Sequence, residues 1–200
     1  MFKKLSRKYC LEKYQQFPQS DHEKETYFYP KTYSNYVLTL PSNSLKGHAK
    51  KLSAEIIKLV QYMQSTSLIF LGDTKVPWRY QQQDYKPVKN ALQYLAQYKV
   101  GKRFSGGFEI GRGELSAFFP HLFWLVRCNA VFPIVYFMDN DQHFIGSLCQ
   151  YGNIHFSTMD KEADRRLKNA LKDSALRVLK SNCVDQFSIT GKIKGRRIAL

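Results

Sequence analysis

The sequence has no apolar run long enough to cross a membrane, which needs about 18 or more uninterrupted apolar residues. Its most apolar region, Leu115–Met138, is broken by Pro120, His121, Arg127, Asn129 and Pro133. The N-terminal residues also lack the apolar block and small-residue cleavage site of a signal peptide. We therefore predict a soluble, cytoplasmic protein without a transmembrane segment.

Paired cysteine spacings are absent as well. The four cysteines, Cys10, Cys128, Cys149 and Cys183, are scattered without any C-x-x-C motif. This distribution argues against a disulfide framework and against a structural zinc site. Cys128 and Cys149 lie in apolar segments and are predicted to be small buried residues. The sequence thus predicts no metal ion and no cofactor.

No catalytic signature is present. The five histidines never form an H-x-x-x-H pair, and there is no G-x-S-x-G nucleophile elbow. A hairpin would bring His143 and His155 near each other, and Glu109 and Glu114 would share that neighbourhood. Because these residues form no recognisable motif, we assign no catalytic residue. An enzyme remains the third interpretation.

A glycine cluster is the nearest approach to a phosphate-binding motif. Gly106, Gly107, Gly111 and Gly113 lie between a predicted strand and a predicted helix, where free backbone N–H groups can hold a phosphate. Their spacing matches neither the dinucleotide fingerprint nor the P-loop. Glu114 in the first helical turn would repel a phosphate. Turn geometry is therefore the preferred interpretation.

Acidic residues are scarce. The sequence has 16 Asp and Glu against 31 Lys and Arg, which gives a formal net charge of +15. Residues 1–105 hold 18 basic and 7 acidic residues, and residues 159–200 hold 11 and 5. Residues 106–158 hold only 2 basic and 4 acidic residues. Two basic segments thus flank a nearly neutral middle, and the field they create attracts polyanions.

These basic segments are interleaved with aromatic residues, a combination that favours nucleic acid. Phosphates bind cations with release of counterions, and bases stack on exposed rings. We therefore predict non-catalytic binding of RNA or DNA. Without a zinc-finger, RNP or K-homology signature, single-stranded or structured nucleic acid is favoured. The predicted binding residues are Lys46, Lys50, Lys51, Lys102, Arg103, Lys192, Lys194, Arg196 and Arg197.

The alternative interpretation is a protein-binding module that recognises or neutralises an acidic partner. Electrostatic complementarity would accelerate such an association. An apolar patch for this partner, or for a second copy of the chain, would come from the aromatic middle of the sequence. Its residues are Phe118, Phe119, Phe123, Trp124, Phe132, Tyr136 and Phe137. The competing interpretation is that these rings fill the core.

Alternating apolar patterns predict an α+β fold with a mixed, largely antiparallel sheet packed by three to four helices. Strands are predicted at Tyr33–Pro41, Ser67–Asp73 and Phe108–Ile110, with a β-meander over residues 131–157 that starts with a strand at Val131–Met138. Helices are predicted from an N-cap among residues 42–44 to about Gln64, from Pro87 to about Gly101, from Glu114 to about Asn129, and over Met159–Lys180.

The domain organisation follows from the same patterns. Residues 1–30 are predicted to be a basic, loosely attached arm, and residues 31–200 a single α+β domain. Pro120 is expected to kink or restart its helix. Ser157 or Thr158 is expected to cap the last helix. The basic segment Phe187–Leu200 is predicted to form an edge strand or hairpin.

Overall fold

The structure, a computed structural model, describes residues 1–21, 24–80, 84–180, 183, 185–188, 193 and 196. Within these ranges five helices are present: α1 (Arg7–Lys13), α2 (Leu45–Tyr62), α3 (Lys86–Gln97), α4 (Leu115–Cys128) and α5 (Lys161–Lys172). The strands are β1 (Phe2–Leu5), β2 (Gln19–Asp21), β3 (Thr26–Phe28), β4 (Ser34–Thr39), β5 (Ser67–Gly72), β6 (Gly107–Gly111), β7 (Val135–Asp139), β8 (Phe144–Leu148), β9 (Ile154–Thr158) and β10 (Arg177–Val178).

Eight of these strands form one sheet in the order β1-β6-β5-β7-β8-β9-β4-β10, and β2 pairs separately with β3. Every pairing among the described strands is antiparallel. The meander β7-β8-β9 lies in the middle of this sheet. The predicted α+β class, with a largely antiparallel sheet packed by helices, is confirmed.

The sheet separates two hydrophobic cores, because successive side chains of a strand point to opposite faces. Leu68 and Phe70 of β5 belong to the larger core, beneath α2, α3, α4 and α5. Ile69 and Leu71 of the same strand belong to a smaller core beneath α1. All six residues of β5 are buried. This strand is therefore covered on both faces, as its unbroken apolar sequence requires.

The helices above the larger core follow the predicted apolar stripes. In α2, Leu52, Ile56 and Leu59 are buried at steps of three and four, and the side chain of Ser44 caps the helix by accepting from Gly47 N–H. Helix α4 continues through Pro120 without the predicted restart. No helix in the described ranges is long and apolar enough to cross a membrane.

The N-terminal segment differs from the loosely attached arm predicted for residues 1–30. Strand β1 pairs with β6 from Phe2↔Ile110 to Leu5↔Gly107 and extends the main sheet. Cys10 and Phe17 are fully buried in the smaller core. The many lysines of β1 and α1 concealed this role in the sequence. Their side chains are exposed to solvent, and only the few apolar residues of this segment are buried.

Two predicted boundaries are corrected. The last helix begins after Asp160, whose carboxylate accepts from Ala163 N–H at 2.8 Å, and ends at Lys172 rather than Lys180. Beyond this end, Glu55 of α2 accepts from Ser174 Oγ and from the next backbone N–H, which turns the chain towards β10. Strand β7 starts at Val135 rather than Val131, since Pro133 has no N–H to give to a ladder.

The glycine cluster serves close packing at two of its positions. A Cβ on Gly106 would lie 2.2 Å from Leu5 O, and one on Gly107 would lie 2.5 Å from Cys10 Sγ and 2.9 Å from Phe70 O. These glycines therefore let β1 and α1 approach the sheet. At Gly113, in contrast, a Cβ would meet nothing within 4 Å.

We predict that Gly107→Ala lowers the free energy of unfolding by about 1–3 kcal/mol, because the added methyl group overlaps backbone and buried sulfur atoms. Gly113→Ala is the matched control and should change stability by less than about 0.5 kcal/mol. Urea unfolding followed by circular dichroism measures both. Equal stability of the two variants would contradict the packing described for β1 and α1.

Candidate functional site

Half of one sheet face is left without a helix above it. Ile154 and Phe156 of β9 lie in the larger core, so His155 and Ser157 point to the opposite face. Val37 of β4 pairs with His155 and shares this face. Helix α1 covers only the part of the face formed by β5, β7 and the first half of β8. We call the uncovered part, over β8, β9 and β4, the open sheet face.

Two cavities lie along the open sheet face, and His155 lines both. The larger, of about 450 Å³, extends past Tyr136 and Cys149 towards Arg196. The smaller, of about 300 Å³, extends towards Tyr29. His155 therefore lies between the two cavities, which together form the groove of the open sheet face.

The β2–β3 hairpin borders this groove through tyrosine hydroxyls. The hydroxyl of Tyr27 hydrogen-bonds that of Tyr136, and the hydroxyl of Tyr29 lies 3.1 Å from Ser157 Oγ. Ser157 in turn donates to Asn35 Oδ1 at 2.6 Å. Burial raises the pKa of Tyr136, with a further rise from its bond to Tyr27. The hydrogen bonds of Tyr27 and Tyr29 therefore hold the hairpin against the sheet.

Two cysteines and a histidine converge beside the larger cavity of the groove. Cys183 Sγ lies 3.2 Å from His155 Nε2 and 3.9 Å from Cys149 Sγ. The three ligand atoms all lie within 4.8 Å of one another. Burial lowers the pKa of His155 and raises that of Cys149 to about 11, with the charge of Cys183 adding to the latter. Near neutral pH the imidazole is therefore neutral and the Cys149 thiol is protonated.

A tight turn between β8 and β9 places Cys149 beside His155. Gly152 has φ +81, a left-handed conformation that favours glycine, and Cys149 N–H donates to Asn153 O at 2.9 Å. Sequence spacing did not predict this group, because Cys183 is 28 residues beyond His155 and follows no motif. The only feature of the sequence that pointed to this group was the position of Cys149 and His155 on either side of a predicted turn.

A second feature is a row of cations on α5. Lys161, Arg165, Lys168 and Lys172 recur at steps of four, three and four, so they share one face of the helix. With Tyr33, which is 54% exposed, they line a shallow groove of about 630 Å³. We call this the α5 groove. The backbone N–H of Tyr33 donates to Thr158 O at 2.8 Å, which fixes the tyrosine beside the start of α5.

Asp164 ties α5 to the sheet beneath this groove. Burial alone would raise the pKa of its carboxylate, but hydrogen bonds from Lys168, Ser34 and Tyr36 lower it to about 2. Lys168 Nζ lies 2.8 Å from Asp164 Oδ2, and the hydroxyls of Ser34 and Tyr36 donate to Oδ1 at 2.5 and 2.6 Å. The position of the cationic face relative to Tyr33 depends on this carboxylate.

The structure separates the cations predicted from the sequence. Lys46, Lys50 and Lys51 are exposed on the first two turns of α2. Lys102 and Arg103 are exposed in the connection between α3 and β6. Helix α4 packs against both α2 and α3 and lies between these two groups. They therefore do not form a single patch.

The predicted cations near the C-terminus have a different outcome. Arg196 is half-buried and donates to Val126 O and Arg127 O at 2.9 and 3.0 Å, so it satisfies carbonyls at the end of α4. Burial lowers its pKa. Lys192, Lys194 and Arg197 lie outside the described residues, as does most of the predicted edge strand or hairpin over Phe187–Leu200.

The residues considered for catalysis are not brought together. His143 Nδ1 lies 2.8 Å from Asp139 Oδ2, and the same carboxylate accepts the backbone N–H groups of the β7–β8 turn. His155 lies towards the far end of the β8–β9 ladder. Glu109 is on β6, where it pairs with Lys3. The grouping of His143 or His155 with Glu109 or Glu114 is therefore not formed.

Most of the aromatic middle of the chain fills the cores. Phe118, Phe119, Phe123 and Phe137 are each 1% exposed or less. Trp124 and Phe132 are partly buried against the larger core. The exposed rings lie elsewhere, including Tyr27, Phe28 and Tyr33 near the hairpin. The apolar patch considered for a protein partner is therefore not formed by these buried phenylalanines.

No protein-family model, curated protein or solved structure matches this chain. Its function is accordingly inferred from the chemistry of the open sheet face and the α5 groove.

We predict that Asp164→Asn lowers the free energy of unfolding at pH 7 by about 1–3 kcal/mol, the range for weakening hydrogen bonds to a buried charge. The folded-state pKa is below the ordinary 3.8. This stabilisation is therefore complete above about pH 4 and is lost as the pH falls towards 2. The difference in free energy of unfolding between wild type and variant, measured by urea unfolding, should therefore decrease as the pH falls from about 4 towards 2.

Glu162→Gln is the control for this measurement. Hydrogen bonds from Arg165 and Arg166 lower the pKa of Glu162 to about 2, yet the carboxylate is exposed on the surface of α5. Solvent screens such pairs, so the unfolding midpoint at pH 7 should stay unchanged. A wild-type midpoint in Asp164→Asn would show that the buried carboxylate does not anchor α5.

Proposed function

We propose that this protein binds nucleic acid, with the α5 groove as its contact surface. The observation that carries the proposal is the row of four cations on one face of α5, with an exposed tyrosine ring beside it. The sequence-based expectation of a polyanion ligand supports the same function. The α5 groove replaces the separated cations of α2 and of the α3–β6 connection as the centre of the site.

The charge of α5 is only partly neutralised within the protein. The helix holds five basic residues, Lys161, Arg165, Arg166, Lys168 and Lys172, against the two acids Glu162 and Asp164. Both acids form ion pairs along the helix. Neither Lys161 nor Lys172 is in an ion pair within the described residues. Surface ion pairs are weak in water, so a phosphate can compete for the paired arginines too.

The dimensions of the row suit a polyphosphate backbone. From Lys161 to Lys172 the helix rises about 16 Å, at 1.5 Å per residue. Consecutive phosphates of a strand are spaced by several ångströms, so this length meets several of them at once. A multivalent anion is therefore favoured over a single phosphate group.

Tyr33 favours unpaired bases over a duplex. Its ring is 54% exposed and borders the same groove as the cations. Stacking of one base on an aromatic ring contributes about 1–3 kcal/mol and tolerates any base sequence. A strand whose phosphates follow α5 can place a base on this ring only where the base is not paired. We therefore expect a preference for single-stranded RNA or DNA.

We predict that Lys161→Ala/Arg165→Ala/Lys172→Ala weakens binding of a labelled single-stranded oligonucleotide at least about tenfold at 0.1 M salt, because three phosphate contacts are lost. The slope of log K against log salt should fall by about 2 in magnitude, at about 0.7 per contact for single strands. Fluorescence anisotropy over a salt series measures both quantities.

Lys46→Ala/Lys50→Ala/Lys51→Ala removes the same charge from α2 and serves as the matched control. It should weaken binding by less than about threefold, through the general field alone. An equal loss in the two triple variants would reject the α5 groove as the site. Wild-type binding no stronger than that of an unrelated protein of equal charge would reject nucleic-acid binding altogether.

Tyr33→Leu tests the preference for single strands. It should weaken binding to a single strand about fivefold or more, in keeping with the loss of one stacked base, and leave duplex binding unchanged. An equal effect on both ligands would show that the tyrosine does not stack on a base.

A further inference from the structure

We propose that Cys149, His155 and Cys183 form a binding site for one zinc-class divalent metal ion, with a fourth coordination position open to the larger cavity of the open sheet face. This site lies away from the α5 groove and does not depend on nucleic-acid binding.

The spacing of the three ligand atoms fits a tetrahedral ion. Zinc bonds sulfur at about 2.3 Å and nitrogen at about 2.0–2.1 Å, so tetrahedral S···S and S···N edges are about 3.8 and 3.5 Å. The observed edges are 3.9 Å between the two sulfurs and 3.2 Å between Cys183 Sγ and His155 Nε2. The third edge, between Cys149 Sγ and the His155 ring nitrogen, is at most 4.8 Å. Side-chain shifts that shorten this edge would bring all three atoms within bonding reach of one ion.

The donor set also selects the metal. Two thiolates and one imidazole are soft and borderline ligands, which favour Zn²⁺ and exclude Mg²⁺ and Ca²⁺, since these prefer oxygen. Nε2 of His155 is the ring nitrogen that lies beside Cys183 Sγ, so it is the nitrogen placed to bind the ion. The cysteines are free thiols. An ion here would displace their protons and supply positive charge to this partly exposed pair.

Local structure holds two of the ligands in place before any ion binds. His155 lies on β9 in register with Ser147 of β8, and Cys149 follows directly after that strand. The Gly152 turn closes the hairpin between them. Cys183 then approaches from the C-terminal segment. Binding would therefore attach this segment to the sheet.

The fourth position distinguishes this site from a structural zinc site. Structural sites are closed by four protein ligands, whereas an open site has three and a water or exogenous ligand. Within the described residues the cluster has three members. They line a cavity of about 450 Å³ together with Tyr136, Gln150 and Tyr151. A small ligand with an oxygen, nitrogen or sulfur donor could reach the ion from this cavity.

Cobalt titration of the full chain tests the proposal. Protein stripped with a chelator and kept reduced is titrated with Co²⁺, then with Zn²⁺ in competition. We expect one equivalent of Co²⁺ to produce thiolate-to-cobalt charge transfer in the near ultraviolet and the visible bands of a tetrahedral ion, all lost on adding Zn²⁺. Absence of these bands from fully reduced protein would overturn the proposal.

Single substitutions assign the ligands. Cys149→Ser and His155→Gln should each weaken Co²⁺ binding at least about 100-fold, since even the loss of an outer hydrogen-bond partner costs about 10–100-fold. Cys128→Ala is the control, because Cys128 is buried in the larger core away from the cluster, and it should bind as the wild type does. Binding by Cys149→Ser equal to that of wild type would reject the site.

Alkylation of the wild-type protein gives a result that does not depend on variant folding. Saturating Zn²⁺ should slow the reaction of iodoacetamide with Cys149 and Cys183 at least about tenfold, as mapped by mass spectrometry, because bound thiolates are shielded. The rates at Cys10 and Cys128 should stay unchanged. Equal rates at Cys149 and Cys183 with and without Zn²⁺ would overturn the proposal.

Discussion

Burial of β5 on both faces constrains the rest of the fold. A strand with no polar side has to be covered above and below, and this chain uses different segments for the two tasks. The helices that follow β4 cover one face with the larger core. Helix α1 and the residues that follow it to Phe17 cover the other face, while β1 extends the sheet beside β6. Arg7 at the start of α1 holds this segment to the end of β5, because its guanidinium donates to Gly72 O and Thr74 O at 2.7 and 2.9 Å.

The limited size of α1 explains where the open sheet face lies. Seven residues make about 10 Å of helix, enough to cover roughly two strands. The remaining strands, β8, β9 and β4, keep polar residues such as His155 and Ser157 on that side. The alternation of apolar and polar residues along β9 therefore decides where a ligand can reach the sheet. The α5 groove lies on the other side of the molecule's sheet, so the two proposed sites are chemically independent.

The sequence predicted the regular part of the fold well, because burial leaves a periodic pattern. The apolar stripe of α2 predicted its helix to within a few residues, and the β-meander predicted over residues 131–157 contains β7, β8 and most of β9. Interactions between distant residues leave no such pattern. The hydrogen bonds that Glu55 accepts from the chain just beyond α5 are of this kind, and so is the pairing of β1 with residues more than a hundred positions away.

The candidate sites, like the fold, were predictable from the sequence only where they follow a periodic pattern. Lys161, Arg165, Lys168 and Lys172 repeat with helical spacing, but their importance depends on Tyr33, which only strand pairing brings alongside. Cys183 reaches His155 through a path that no local motif encodes. The net charge of the sequence predicted a polyanion as the ligand. Which group of basic residues would bind it could not be predicted, because that depends on how the helices are arranged around α4.

The pairing of β1 with β6 also has a consequence for the order of events during synthesis. Phe2 leaves the ribosome before its partner Ile110, which is added more than a hundred residues later. Closing so long a loop is slow, since contacts distant in sequence form late. Until β1 and α1 are in place, the backbone groups at the edge of β6 are unpaired and the face of β5 that α1 covers is exposed. Unpaired strand edges are prone to pair with strands of other chains. Strand β1 is thus made well before the strand it pairs with, and it joins the sheet only after β6 has been synthesised.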